Sequence, residues 1–233
     1  LHAGNGALTV TPAVVQLRGS FGQSTTQRMT ITNGTSQPMT FALAAEDVVV
    51  KNGTRVFVAA GETTGSIAAT AVFSSRSVTV QPGATEAVNV TLTIPRTATS
   101  RAVVARFRGT TRNHVSAAIG ALFTFTLGND ITVDTDALQV RPQTTASNLR
   151  IAQKCTNRGS DPVVARAVAA VVDGGGKLIG RTAIPPRRLL PGETTTITGE
   201  FTGDLAPGDY RVLITYDFEG RKTLTSAAET SVR

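Results

Sequence analysis

The sequence predicts an all-β chain of two tandem, antiparallel β-sandwiches, and three observations carry that prediction. The first is composition. Of 233 residues 40% are hydrophobic and 17% charged, enough apolar material for packed cores, and usage leans to Thr, Val, Ala and Gly, with 22 Gly, 10 Pro and no Trp. β-Branched residues suit a pleated, half-buried surface, and Gly and Pro punctuate the turns between strands. The second is an internal repeat. Thr32-Asn33-Gly34-Thr35-Ser36-Gln37-Pro38 returns as Thr156-Asn157-Arg158-Gly159-Ser160-Asp161-Pro162, and Gln81-Pro82-Gly83 follows the first copy as Leu190-Pro191-Gly192 follows the second. Two copies of one structural unit result. The third is apolar/polar alternation in short runs that stop at polar turns, the period-two signature of strands.

Taken in order, the first copy predicts strands near 8–18, 25–33, 38–50, 55–60, 70–80, 86–94, 101–108 and 114–128. Val10, Val14, Val15 and Leu17 carry the first run, Met29 and Ile31 the second, and the Lys51-Asn52-Gly53-Thr54 hairpin joins the third to the fourth. The Pro82-Gly83 turn launches 86–94, Phe107 alternates with Arg106 and Arg108 in 101–108, and Val115, Ala117, Ile119, Ala121, Phe123, Phe125 and Leu127 alternate through the last. The second copy predicts strands near 137–142, 148–156, 163–172, 177–184, 194–201, 209–217 and 222–232. Asp173-Gly174-Gly175-Gly176-Lys177 is a hairpin between two of them, because its glycines permit positive φ. A phosphate loop needs Ser or Thr after the lysine and then a helix, whereas Leu178 and a strand follow here. The domains are therefore 1–129 and 130–233, with Gly128 to Asp136 as a polar connection. Asp134 and Asp136 share one face of it, but without the Gly and terminal Glu of a calcium loop they read as solvated linker. The first copy is larger, since about fifteen extra residues, Ala59 to Ala71 among them, enlarge its middle; such an insertion is either a functional loop or an added edge strand.

Leu205-Ala206-Pro207-Gly208-Asp209-Tyr210 has the placing of a tyrosine corner, in which a Tyr near a strand start turns its hydroxyl back onto nearby backbone. That makes the predicted sandwiches immunoglobulin-like.

Charge is uneven. Lys and Arg total 23 against 16 Asp and Glu, a formal +7, and residues 1–129 hold ten bases against four acids. Arg101, Arg106, Arg108 and Arg112 form a candidate basic patch that could attract an anionic polymer through a salt-screened field, although Arg106 and Arg108 also fit a solvated sheet face. Aromatic residues are only 5% and no recognition motif accompanies the charge, so nucleic acid is not the expected partner.

Little else carries chemistry. One cysteine can close no intramolecular disulfide and build no cysteine-based zinc site, and His2 and His114 are far apart, so no metal or cofactor is expected. Cys155 reads as a small buried core residue. No Gly-x-Ser-x-Gly elbow is present, His114 has no adjacent acid, and Glu46-Asp47 and Asp217/Glu219 read as solubilising charges, so no catalytic residue is assigned and the chain is expected not to be an enzyme. Asn33, Asn52 and Asn89 begin Asn-x-Thr triplets, glycan acceptors only in a host that glycosylates. No apolar run reaches the roughly 18–20 residues of a membrane-crossing helix. The start at Leu rather than Met, with neither a basic nor an apolar leader following, predicts a chain processed or trimmed from a longer one, and removal of a secretion signal is the expected route.

Val10-Thr11-Pro12 with Val14, Val15 and Leu17, then Met29 to Asn33, Val80-Gln81-Pro82-Gly83 and the run Val115 to Leu127 together resemble the periplasmic chaperones of pilus assembly, a PapD-like family. The resemblance implies two immunoglobulin-like domains, a periplasmic, secreted or cell-surface location, and a last strand of domain one that binds a polypeptide by strand addition. Val115, Ala117, Ile119, Phe123 and Phe125 are the candidate edge, although the same run would suit a strand facing its own core. The family's cleft pair of Arg and Lys is missing: Arg18 is the only base between Val10 and Gly19 and falls late, and no base occurs from Val115 to Asp130. The fold carries over, that basic pair does not. The expected function is thus that of a non-catalytic exported binding protein in a chaperone-like or assembly role, whose partner is a protein or an anionic cell-envelope polymer. The alternative is a structural or adhesive module of a larger surface assembly.

Overall fold

The computed structural model describes residues 7–111, 116–143, 148–220 and 222–233. It divides into two compact units, Leu1–Val49 with Arg55–Leu127, and Val50–Thr54 with Gly128–Arg233.

Apart from the Val50–Thr54 tip that β4 and β5 share, the first unit carries β1 (Leu8–Thr11), β2 (Val14–Arg18), β3 (Ser24–Asn33), β4 (Met39–Lys51), β5 (Thr54–Ala59), a 3-10 turn (Ala68–Thr70), β6 (Val72–Phe73), β7 (Ser77–Val80), β8 (Thr85–Thr93), β9 (Ala102–Thr110) and β10 (Ser116–Thr126). One sheet runs β1-β3-β8-β6; the other runs β2-β10-β9-β4-β5, with β7 also on β4. Met29, Ile31, Phe41, Phe107, Phe123 and Phe125, all fully buried, lie in the core between them. Burying each such side chain contributes about 1.5–3 kcal/mol.

Two expected strands are divided. The run 8–18 breaks at Pro12, which removes a ladder donor: β1 stays antiparallel on β3, while β2 crosses to the other sheet and pairs parallel with β10, the exception to an otherwise antiparallel ladder. The run 70–80 becomes the 3-10 turn and two short strands in different sheets. The insertion is part of the core rather than a free loop, because Ile67 and Ala68 are buried in it. Asp47 holds it there. This carboxylate is fully buried and accepts hydrogen bonds from the Thr63 hydroxyl (2.9 Å), the Ser66 hydroxyl and the Ile67 and Ala68 N–H groups (3.1 Å each). Asp47 is thus a structural anchor and not a solubilising charge. Asn52 and Gly53, at φ 52° and 76°, supply the left-handed pair of a two-residue hairpin turn.

The second unit carries β11 (Val133–Thr135), β12 (Gln139–Pro142), β13 (Asn148–Asn157), β14 (Val163–Asp173), β15 (Leu178–Leu189), β16 (Thr194–Thr202), β17 (Gly208–Phe218) and β18 (Thr223–Val232). β11, β12 and β16 pair with β13 in one sheet, and β15-β14-β17-β18 form the other, around Leu149, Ile151, Val171, Val212, Ile214 and Phe218. The polar connection is more ordered than expected. Val133–Thr135 pairs with Cys155–Asn157, and Asp134 and Asp136 meet Arg158 (3.2 Å) and Lys154 (3.5 Å). The Tyr210 hydroxyl donates to the Ala206 carbonyl at 2.7 Å, the tyrosine-corner bond.

The repeat has one physical cause in both units. Asn33 Nδ2 donates to the Gln37 and Val80 carbonyls (2.8 and 2.9 Å), and Asn157 Nδ2 to those of Asp161 and Leu189 (2.8 and 3.2 Å). Each Oδ1 accepts a backbone N–H two residues on, and each side chain is fully buried. The Asn therefore ties the end of one strand to its turn and to the far strand, and Asn33 spends its amide on the fold.

Candidate functional site

The last strand of the first unit, β10, has two unlike halves. Leu122–Thr126 is paired with Val14–Arg18 of β2 on one side, and on the other Leu122–Thr124 is paired with β9 and Phe125 N–H donates to the Arg101 carbonyl just before it. Ser116–Ala121 is paired with β9 (Thr110 to Ala105) on one side; on the other, the β2 ladder ends where Leu122 N–H donates to the Ala13 carbonyl at 2.9 Å. Among the described residues no strand pairs Ser116–Ala121 there. The cause is the crossing at Pro12: the chain that covers β10 beyond Leu122 lies, before the proline, in the other sheet.

Hydrogen-bond parity identifies the free groups. Leu122 N–H points away from β9 and Phe125 N–H toward it, onto the Arg101 carbonyl at 2.9 Å. With period two, Ser116, Ala118 and Gly120 turn their N–H and C=O groups to the open side. All three are exposed, whereas Ala117 and Ile119 are half-buried against the core. The candidate edge of the sequence thus separates. Ala117 and Ile119 flank the open side. Phe123 and Phe125, both fully buried, belong to the unit's own core on the doubly paired half, because odd positions of β10 face the opposite sheet. Val115 lies outside the described residues.

The four arginines also separate. Arg101 is half-buried, donates Nη1 to the Ala98 and Ser100 carbonyls (2.8 and 3.2 Å) and stacks over Phe21 at 5.6 Å, so it serves local structure. Arg112 lies outside the described residues. Arg106 and Arg108 stand on the outer face of β9, cross-strand from Gly120 and Ala118 of the open segment and from Ala44 and Ala42 of β4. Arg106 is paired with Glu46 at 2.9 Å. Arg108 is exposed between two alanines, with no ion-pair partner among the described residues. An open backbone edge and a basic face, read separately in the sequence, therefore adjoin.

Two edges in the second unit are blunted. β15, an edge of its sheet, carries Pro185, Pro186, Arg181, Arg187 and Arg188, and β12 carries Arg141 and Pro142. Ser116–Ala121 has neither charge nor proline, the devices by which natural sheets resist added strands.

Other groups do structural work. Cys155 is fully buried, and burial pushes its thiol up to about 11; burial raises the Tyr216 hydroxyl as well. A thiol so held is unreactive at neutral pH. A surface depression in the second unit has Asp173, Asp209 and Glu229 in its lining. Asp173 accepts the Gly175 and Lys177 N–H groups (3.0 and 2.9 Å) of its hairpin, and Asp209 accepts the Ser231 hydroxyl. Among the described residues no group of three His, Cys, Asp or Glu is placed to hold a metal. Asp217 accepts the Gly220 N–H (2.8 Å) in the β17–β18 turn; His2 and His114 lie outside the described residues. No helix among them is long and apolar enough to cross a membrane.

Residues 15–116 match the model of a family described as an Fn3-like domain. Three solved structures of pilus chaperones are similar along nearly the whole chain. The class 5 fimbriae chaperone CfaA aligns over 97% of this chain and 98% of its own, at 12% identity and a TM-score of 0.47. The chaperone–tip adhesion subunit complex CsuC–CsuE of the archaic Csu pili of Acinetobacter baumannii gives 95%, 97%, 9% and 0.46. SafB of Salmonella enterica, solved with the SafA pilin, gives 97%, 96%, 10% and 0.45. No curated protein matches the chain.

Proposed function

We propose that the chain is a non-catalytic, exported binding protein that takes an extended polypeptide segment as an added strand on Ser116–Ala121, in a chaperone-like or assembly role. The observation that carries this reading is the open half of β10. It presents Ser116, Ala118 and Gly120 backbone groups to solvent beside a core-facing row of Ala117 and Ile119, without the charge or proline that blunts β12 and β15. An added strand completes the ladder, with affinity from main-chain hydrogen bonds and selectivity from alternate side chains.

Affinity capture from a cell-envelope extract, with half the sample washed at about 1 M salt, where the screening length is about 3 Å, tests the proposal when cross-links are mapped. A polypeptide retained through the wash, cross-linked beside Ser116–Ala121 and lost with Ala118→Pro, is the expected result. Polysaccharide retained only at low salt, or cross-links confined to other edges, overturns it and favours a structural envelope module.

A further inference from the structure

We infer that the segment taken up on β10 alternates apolar and acidic residues, and that Arg108, with Arg106 beside it, reads the acidic ones. The inference rests on the strand-addition reading above and adds the chemistry of the partner.

A strand added to Ser116–Ala121 has two rows of side chains. One row continues the face of Ala117 and Ile119, which are half-buried against the core, so apolar side chains there extend the packed surface. The other continues the exposed face of Ser116, Ala118 and Gly120. Just behind that face stand Arg108, directly opposite Ala118, and Arg106, directly opposite Gly120. Neighbouring strands lie about 4.8 Å apart, so an added strand runs roughly 10 Å from β9, within the joint reach of an arginine and a glutamate. Only a methyl group and a hydrogen intervene, because positions 118 and 120 are Ala and Gly. Larger side chains there would screen the guanidinium groups from anything added at the edge.

Charge fixes the sign of the partner. Glu46 already engages Arg106 on the β4 side, whereas both cross-strand neighbours of Arg108 are alanine. Arg108 is therefore the principal reading group, and Arg106 becomes available to the extent that Glu46 releases it. The ten bases against four acids in residues 1–129 favour the same partner at long range.

The test uses the full chain and three fluorescent synthetic peptides of about seven residues that alternate valine with glutamate, glutamine or lysine. Binding is followed by anisotropy at low and high salt to the native chain, Arg108→Glu and Ala118→Pro. The glutamate peptide is expected to bind the native chain about fivefold tighter than the glutamine peptide at low salt, with the gap closing as salt rises. Arg108→Glu should reverse the order so that the lysine peptide leads, and Ala118→Pro should weaken all three. Equal binding of glutamate and glutamine peptides, both lost with Ala118→Pro, overturns the acidic preference while leaving strand addition in place. Glutamate-peptide binding that ignores Ala118→Pro but vanishes with Arg108→Glu overturns strand addition and with it this inference. Absence of glutamate-peptide binding at about millimolar concentration overturns the inference too.

Discussion

Proline placed at neighbouring positions of β10 separates an open edge from a closed one. Ala117 N–H points at β9, opposite Gly109, whose residue is buried. Ala117→Pro deletes that bond, worth about 1 kcal/mol net, and leaves the Gly109 carbonyl unpaired at about 1–3 kcal/mol more, so the first unit should lose roughly 2–4 kcal/mol. Ala118 N–H points to the open side and has no bond to lose among the described residues, and proline is tolerated where a strand's N–H faces solvent, so Ala118→Pro should stay within about 1 kcal/mol of the native chain. Urea unfolding read by far-UV circular dichroism measures both. Tyr210 and Tyr216 are the only tyrosines, both lie in the second unit, and the chain has no Trp, so tyrosine fluorescence follows that unit alone and serves as an internal control. Equal destabilisation by the two prolines would refute the argument, because it would mean that Ala118 N–H is already bonded.

Three further outcomes follow from the buried polar groups. Asn157→Ala removes three side-chain hydrogen bonds to backbone and should cost the second unit about 3 kcal/mol, seen as an earlier tyrosine-fluorescence transition. Asp47→Ala unpairs the Ile67 and Ala68 N–H groups and should cost the first unit about 3–5 kcal/mol while opening residues 59–71 to protease; a native digestion pattern would contradict the anchor. The folded-state thiol of Cys155 titrates near 11 against 9.0 unfolded, so its stabilising effect is complete below about pH 9 and lost as pH rises toward 11, at most about 2–3 kcal/mol. Cys155→Ala should delay the onset of that fall to above about pH 10, where the raised Tyr216 hydroxyl takes over.

Strand positions, the two units and the tyrosine corner were legible because period-two alternation and turn chemistry are local. The burial of Asp47 has a mark in the sequence too, since it keeps phase with Phe41, Leu43 and Ala45, the inward positions of β4. The division at Pro12 left a similar mark. The core-facing residues are Leu8 and Val10 before the proline and Val15 and Leu17 after it, a change from even to odd parity that a single strand forbids. Beyond legibility was where β2 stops covering β10, because that depends on the register of residues more than 100 positions apart. The arginine cluster misled for the same reason. Arg101 and Arg108 are close in sequence, yet seven strand residues put them about 23 Å apart, with different neighbours.

Residue-resolved amide exchange in β10, free and with the alternating valine–glutamate peptide bound, tests the central claim most directly. The account predicts fast exchange at Ser116, Ala118 and Gly120 beside slow exchange at Ala117, Ile119 and Ala121 in the free chain, and protection of all six when the peptide binds. Uniform protection in the free chain, or peptide-induced protection confined to another edge such as β5 or β18, would contradict it.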